Sequence, residues 1–251
     1  MFDLREGETL DELLINGMRL IQKKDGFRYT SDAVLLAYFA DARINDRVVD
    51  LGSGTGIIPF LLAGRERSLC VYGLEIQPDL VEMARRSAAI NGLAERVRML
   101  FMDLRDQNAL RTLSDSGKFQ LATANPPYWE AGRGRLNADA SSALSRHQLT
   151  GSLSDFVGAA KVLLADKGRL ALIYISQELP DVLELLNSRG FKPSRIRFIH
   201  SRADQPAEKV LIEAYNGRRP GKLIVAPPLI VYDSPGVYSG EVLGWYGRTQ
   251  K

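Results

Sequence analysis

The sequence predicts an α/β fold: a doubly wound, seven-stranded, mostly parallel sheet with helices on both faces, preceded by a short N-terminal hairpin and helix. Three observations carry this. From residue 47 onward, short apolar runs alternate with helical patterns. The runs are close to continuously apolar, as strands buried on both faces must be. A turn with three alternate glycines follows the first run and opens a helix, the arrangement of nucleotide-binding sheets.

The elements follow in order. Residues 12–22 read as a hairpin, with Asn16-Gly17 between Leu13-Leu14-Ile15 and Met18, Leu20 and Ile21. Asn-Gly between apolar runs is the strongest short-range hairpin signal. Ser31-Asp32 then cap an apolar helix from Ala33 to Phe39. Val48 to Leu51 is the first strand of the sheet, and Ile57 to Ala63 the helix after the glycines. Leu69 to Leu74 is the second strand. Pro78 to Asn91 is a helix, with proline in its first turn and Asn91-Gly92 as its stop. Val97 to Phe101 and Phe119 to Ala124 are the third and fourth strands. A helix from Leu153 to Leu164 is followed by strands at Leu170–Ile175, Ser194–Ile199 and Val210–Tyr215, with a helix at Glu178–Ser188 inside that series.

The 251 residues, 45% hydrophobic and 25% charged, exclude disordered, collagen-like and disulfide-scaffold chains. They fit one domain, 1–251, with residues 1–45 as an extension and 46–251 as the core. The single cysteine, Cys70, allows no intramolecular disulfide and reads as a buried strand residue. Two histidines and one cysteine make no zinc cluster of the usual kind, so no metal is expected. No basic and apolar leader stands at the N-terminus. The longest apolar stretch, Leu223 to Tyr232, is ten residues with two prolines, against the roughly 20 that span a bilayer. The expectation is a soluble, cytoplasmic protein.

Asp50-Leu51-Gly52-Ser53-Gly54-Thr55-Gly56 marks a cofactor site. Glycines make the turn and let a ligand approach the backbone. The dinucleotide fingerprint would need its third glycine at position 57, which is Ile57. A carboxylate at Asp50 also suits a ligand with an ammonium group, so S-adenosylmethionine is the expected cofactor. Glu75, ending the second strand, is placed to accept both hydroxyls of a ribose. Asp103, ending the third, is placed to accept from an adenine amine. Ser53, Thr55, Ile76 and Leu104 beside these residues complete the expected contacts.

The most specific motif is Asn125-Pro126-Pro127-Tyr128, followed by Trp129, directly after the fourth strand. Two prolines fix the backbone and remove two donors. The Asn125 side-chain oxygen and the Pro126 carbonyl can then accept both hydrogens of one planar amino group, with Tyr128 as a face for ring stacking. An amino group conjugated to a ring or carbonyl is a poor nucleophile, and holding it in place favours transfer through positioning and electrostatics. Asn125 is also placed against the cofactor.

On these residues the chain resembles the class I S-adenosylmethionine-dependent methyltransferases of the Asn-Pro-Pro-Tyr, amino-methylating type, whose core is Rossmann-like. More narrowly, it is similar to the bacterial adenine-N6 methyltransferases that modify adenosine-37 of valine tRNA. The narrow resemblance rests on Gln22 through Ala37, on Arg146-His147, and on Pro227 to Tyr232 with Tyr238. It implies that Tyr29, Thr30 and Asp32 lie near the cofactor's methionine part, and that Asn125, Pro126 and Tyr128 hold the target base. One departure is Gln148, where Glu is expected after Arg-His.

Asn-Pro-Pro-Tyr does not separate ring amines from a glutamine amide. Three functions compete: a tRNA adenine-N6 methyltransferase, a protein glutamine-N5 methyltransferase acting on a release factor or ribosomal protein, and a non-catalytic cofactor scaffold. The glutamine enzymes carry a long helical domain before the glycine turn, and only about 45 residues precede it here. A degraded motif would suit the scaffold, yet Asn125 to Tyr128 is intact. Charge also favours RNA. Residues 191–222 hold eight bases and three acids, so a segment of +5 sits in a chain whose net charge is +3. Arg195, Arg197 and Arg202 from this segment, with Arg133, Arg146 and His147 near the motif, are the expected tRNA contacts.

Overall fold

The strands read from Val48 onward form one central sheet in a computed structural model, which describes residues 4–13, 17–24, 31–128, 151–217 and 221–246. Ahead of them, β1 (Glu8–Leu13) and β2 (Met18–Lys23) pair antiparallel, with Leu13 opposite Met18. The hairpin docks on α3 (Pro78–Ile90): the Ile21 amide donates to Ser87 Oγ at 2.9 Å and the Arg19 amide to Asn91 Oδ1 at 2.9 Å. Helix side chains thus satisfy backbone groups that a strand edge leaves open. α1 (Ser31–Phe39) buries Ala33, Val34, Leu35, Leu36, Ala37 and Phe39, so it is apolar around its whole circumference and sits inside the core.

The core elements are β3 (Arg47–Leu51), α2 (Ile57–Arg65), β4 (Cys70–Glu75), β5 (Val97–Phe101), α4 (Gln107–Asp115) and β6 (Phe119–Ala124). After residue 150 come α5 (Leu153–Leu163), β7 (Leu164–Ile175), α6 (Leu179–Ser188), β8 (Phe191–His200) and β9 (Ala207–Asn216). β7, β6, β3, β4 and β5 are mutually parallel, and β9 runs antiparallel between β7 and β8. The sheet holds nine strands where the sequence predicts seven. The extra two, β10 (Ile224–Val225) and β11 (Leu229–Ile230), are two residues each and pair with β8. Pro227 and Pro228 lie between them and cannot donate to a ladder, so a stretch that is apolar throughout is split into two contacts.

Alternate strand residues face opposite cores. Val48, Val71, Leu121 and Ile173 pack with α1, α2 and α3, while Val49, Leu74, Ala122 and Leu172 pack with α5 and α6. α4, which the apolar pattern does not reveal, buries only Leu110 and Ser114, and its start is fixed by the Asp106 carboxylate accepting from the Asn108 and Ala109 amides. Cys70, expected to be buried, is half-buried at the first position of β4. At the opposite end of the sheet from the glycine turn, Arg169 is 3% exposed and pairs with Asp41 and Asp46. The tail closes the fold through β12 (Tyr232–Ser234), β13 (Val237–Tyr238) and α7 (Gly240–Trp245), with Trp245 stacked on Tyr38 of α1 at 4.9 Å.

Candidate active site

Register places the two predicted turns side by side. Leu51, the last residue of β3, lies opposite Leu74 on one flank and Ala124 on the other. The glycine turn after Leu51 and the Asn125 turn after Ala124 therefore leave adjacent strands, about 5 Å apart. The chain winds one way from β3 to β4, and β6 flanks β3 on the other side. This is the switch point beside which ligands bind in such sheets.

The three turn glycines have positive φ, +67° at Gly52, +55° at Gly54 and +88° at Gly56, but their surroundings differ. A Cβ on Gly52 would lie 2.9 Å from the Phe156 ring, and one on Gly56 would lie 3.0 Å from Phe60. Those two are required by packing. A Cβ on Gly54 would meet nothing within 4 Å, so Gly54 opens on the space that a ligand would take. Gly73 in β4 is a further requirement, which the sequence reading missed. A Cβ there would meet Met99 at 2.5 Å and Ser53 Oγ at 2.7 Å.

The carboxylates at the strand ends are held in different ways. Glu75 is 4% exposed; its Oε2 accepts from the Gly54 amide at 2.8 Å and its Oε1 from the Gln77 amide at 2.9 Å. It joins the two strand ends and retains lone pairs for further donors. Asp50 is buried under the turn. Its Oδ1 accepts from Thr123 Oγ1 at 2.6 Å, while Oδ2 has no partner. Burial, aided by the nearby Glu75 charge and opposed by Thr123 and Ser53, pushes the Asp50 carboxyl up to about 7. Asp103 is half-exposed and held by its neighbour: Arg105 Nη2 reaches Oδ2 at 2.7 Å and its Nε reaches Oδ1 at 2.8 Å. That guanidinium keeps the Asp103 carboxyl below its ordinary range. Ser53 and Thr55 are buried in the turn, Ile76 follows Glu75, and Leu104 packs in the core beneath Asp103.

The Asn-Pro-Pro-Tyr turn is anchored from behind. Pro126 is buried, while Asn125, Pro127 and Tyr128 are half-buried. The Tyr128 hydroxyl lies 2.9 Å from Asp32 Oδ2 and 3.2 Å from Asn125 Oδ1. Asp32 is 3% exposed and receives Lys209 Nζ at 2.6 Å on both oxygens. Tyr128 also packs edge-to-face on Tyr174 at 5.6 Å, with Lys209 Nζ 5.4 Å from its ring centre. Burial, and then the Asp32 charge, raise the Tyr128 phenol above its ordinary range, so it stays a donor. Asp32 therefore lies against the Asn-Pro-Pro-Tyr turn as well as at the start of α1. Lys209 belongs to this cluster, although nothing local to it signals this: its partner Asp32 is 177 positions away.

Among the described residues of the basic segment, several pair within the fold, and two of the expected tRNA contacts, Arg195 and Arg197, are among them. Arg195 Nη2 donates to the Phe39 carbonyl at 2.7 Å and to Glu213 at 3.1 Å, and its guanidinium lies 4.1 Å from the Phe39 ring centre. Arg197 grips Glu241 of α7 with two 2.7 Å bonds and the Pro227 carbonyl with a third at 2.9 Å. Both tie the sheet to other elements. Arg202 pairs with Asp204 on the surface and lines a cleft of about 330 Å³ with Ser201, Gln205 and Tyr232. That cleft lies at the carboxyl end of β8, the edge of the sheet that carries both turns. Tyr29, Thr30, Trp129, Arg133, Arg146 and His147 lie outside the described residues. Among the described residues no His, Cys, Asp or Glu group is placed to hold a metal ion.

A family profile described as a methyltransferase domain matches residues 43–203, nearly two thirds of the chain. The chain belongs to the methyltransferase-domain family. Among its relatives is the tRNA1(Val) (adenine(37)-N6)-methyltransferase of Porphyromonas gingivalis, 30% identical over 224 residues, covering 85% of each chain. A protein of the same description from Aeromonas hydrophila is 28% identical over 216 residues, covering 85% of this chain and 86% of its own. In structure, this methyltransferase resembles a predicted O-methyltransferase from Agrobacterium tumefaciens, with a TM-score of 0.69, 25% identity and coverage of 88% of this chain and 98% of that one. The fold is shared with a tRNA m1G37 methyltransferase of M. jannaschii, at a TM-score of 0.58 and 14% identity over 86% of this chain and 59% of that one.

Proposed function

We propose that the protein transfers a methyl group from S-adenosylmethionine to the exocyclic N6 of an adenine in tRNA, with adenosine-37 of valine tRNA as the expected target. The observation that carries this reading is the Asn125-Pro126-Pro127-Tyr128 turn, one strand from the glycine turn, in a chain whose relatives are named for that reaction. The residues present fit the cofactor. Glu75 is oriented by two amides with lone pairs to spare, Gly54 opens on unfilled space, and Asp50 Oδ2 is a buried acceptor without a donor. In this reading Glu75 takes the ribose hydroxyls, Asp50 answers the ammonium group, and Asp103 accepts from the adenine once Arg105 turns aside. Tyr29 and Thr30 are assigned to the methionine end.

When bound, the cofactor supplies an electrophilic methyl on a sulfonium. The chain's own residues prepare the acceptor. Asn125 Oδ1 and the Pro126 carbonyl take the two N–H bonds of the amine and fix the nitrogen in line. Tyr128, braced by Tyr174, offers its ring to the base. No residue has to remove a proton first, because the nitrogen sheds one after it gains the methyl. A base in structured RNA must be splayed out to reach this turn. Trp129, Arg133, Arg146, His147 and Arg202 are the residues assigned to that contact.

The test is incubation of the full chain with S-adenosylmethionine and total tRNA, then nucleoside mass spectrometry. N6-methyladenosine in tRNA is the expected product. Its absence, with methyl found on a release-factor or ribosomal-protein glutamine, would replace this reading with the glutamine-N5 one.

A further inference from the structure

A hydroxyl has one hydrogen to donate, and that of Tyr128 faces two acceptors, Asp32 Oδ2 at 2.9 Å and Asn125 Oδ1 at 3.2 Å. The choice between them bears on the reaction. In the amine-methylating reading, on which this inference rests, Asn125 Oδ1 must accept from the substrate amine. A Tyr128 hydrogen aimed at that oxygen competes for the same lone pairs and lowers their basicity. We infer that Lys209 is a positioning residue for methyl transfer: by bonding both oxygens of Asp32 it fixes that carboxylate against the Tyr128 hydroxyl, which keeps the Tyr128 hydrogen from Asn125 and leaves Asn125 Oδ1 free for the incoming amine.

The geometry supports each link. Lys209 lies on β9 opposite Ile175, the last residue of β7, so its side chain starts at the edge of the sheet that carries the catalytic turn. Its ammonium is 2.6 Å from each Asp32 oxygen. Two such contacts fix the plane of a carboxylate that a single contact would let rotate. Asp32 is 3% exposed, so water does not dilute the charge. A carboxylate accepts more strongly than an amide oxygen, and here it is also the nearer acceptor. The contest for one hydrogen is thereby settled in favour of Asp32. Lys209 touches neither Asn125 nor the expected position of the amine; it acts through two other side chains, from three separate elements.

The experiment uses the full chain and the variants Lys209→Met, Lys209→Arg and Tyr128→Phe, with the double variant Lys209→Met/Tyr128→Phe. In a crystal structure of Lys209→Met, the Tyr128 Oη is expected to leave Asp32 and close on Asn125 Oδ1. Methylation is expected to slow about tenfold in kcat, the scale of one misdirected hydrogen bond, with cofactor affinity unchanged and Lys209→Arg close to the parent. In the Tyr128→Phe background, where no hydrogen is left to misdirect, Lys209→Met should cost no further rate. If Lys209→Met fails to fold, Asp32→Asn keeps the volume, removes the charge and should produce the same movement of Oη. An Oη that stays on Asp32 in the folded variant, or a full additional tenfold loss in the double variant, overturns the inference. Failure of the parent to methylate tRNA would sink the substrate reading alone, because the position of Oη decides this one independently.

Discussion

If Asp50 answers the cofactor's ammonium group, as proposed, cofactor affinity becomes a function of pH. Its carboxyl is pushed up to about 7 by burial, and its Oδ2 has no donor. In the free protein it is therefore mostly protonated at pH 6 and mostly ionised at pH 8. A bound ammonium favours the ionised form, so binding below pH 7 must expel the proton. With a free-state pKa of about 7, affinity should fall about tenfold from pH 8 to pH 6 through linkage. The ligand's own amine, near 7.7–8.0, titrates in the opposite sense, and Asp50→Asn removes the protein's contribution while keeping the ligand's. The assay is isothermal titration of S-adenosylmethionine into parent and variant at pH 6, 7 and 8, repeated at pH 6 in two buffers of different ionisation enthalpy. The ratio of the two affinities should move about tenfold, and at pH 6 the parent alone should release close to one proton. A flat ratio and no proton release would refute the assignment of Asp50 to the cation. The same shift carries a stability signature. Because the folded value lies above the ordinary 3.8, the contribution of Asp50 to stability is complete below about 3.8 and is lost as pH rises through about 7.

Further outcomes are expected. Asn125→Ala should lower kcat on the order of 10²–10³-fold, as loss of a transition-state hydrogen bond does, while cofactor affinity measured by titration stays within a factor of two. Gly54→Ala should fold, at a backbone cost of about 1–2 kcal/mol, yet lose cofactor binding; Gly52→Ala, whose Cβ would strike Phe156, should lose stability in a urea melt instead. Arg169→Met leaves the nearly buried Asp46 without its cation and should cost about 3–5 kcal/mol in the same melt. Arg197→Ala should loosen the tail, seen as faster hydrogen exchange in α7, and leave the salt dependence of tRNA binding unchanged; a flatter slope would return Arg197 to the RNA.

The sheet was legible because burial on both faces writes itself into the chain as apolar runs, and the glycine and Asn-Pro-Pro-Tyr turns because their backbone demands are local. α4 was not, since it buries two residues and leaves no stripe; its cap, Asp106, was its one available signal. The split of 223–232 into β10 and β11 needed the pairing with β8 to become visible. At the site, sequence position showed that Asp50, Glu75 and Asp103 end strands, but not that Glu75 is held by two amides while Asp103 is taken by Arg105. The segment charge is silent on pairing for a related reason. A net charge does not say which base meets which acid, whether inside the segment, as Glu213 with Arg195, or outside it, as Glu241, 44 positions beyond Arg197.

The same limit explains why Lys209 looked like one more base in a basic stretch. A charge is assigned to solvent, partner or ligand by what lies within about 4 Å of it, and in a sheet of this order those neighbours come from distant parts of the chain. Of the eight bases in residues 191–222, Arg195, Arg197, Arg202 and Lys209 have carboxylate partners in the fold. Three of those partnerships stitch or decorate the scaffold; the fourth reaches the catalytic turn through Asp32. The excess of base that first pointed to RNA is thus a weaker footprint than its sum implies, and one of its members has a more specific place beside the chemistry. Among the described residues, the cleft at Arg202 and Tyr232 lies at this edge, in line along the sheet with the turn that would hold the base. A substrate gripped at Arg202 and presented to Asn125 must cross the carboxyl end of β8, the amino end of β9 and the carboxyl ends of β7 and β6, a span of about 15 Å at the usual strand spacing. That distance is spanned by a few nucleotides of a splayed loop, so a substrate held at both points extends well beyond the reacting amine, and Arg202→Ala should weaken its binding without slowing transfer once it is bound.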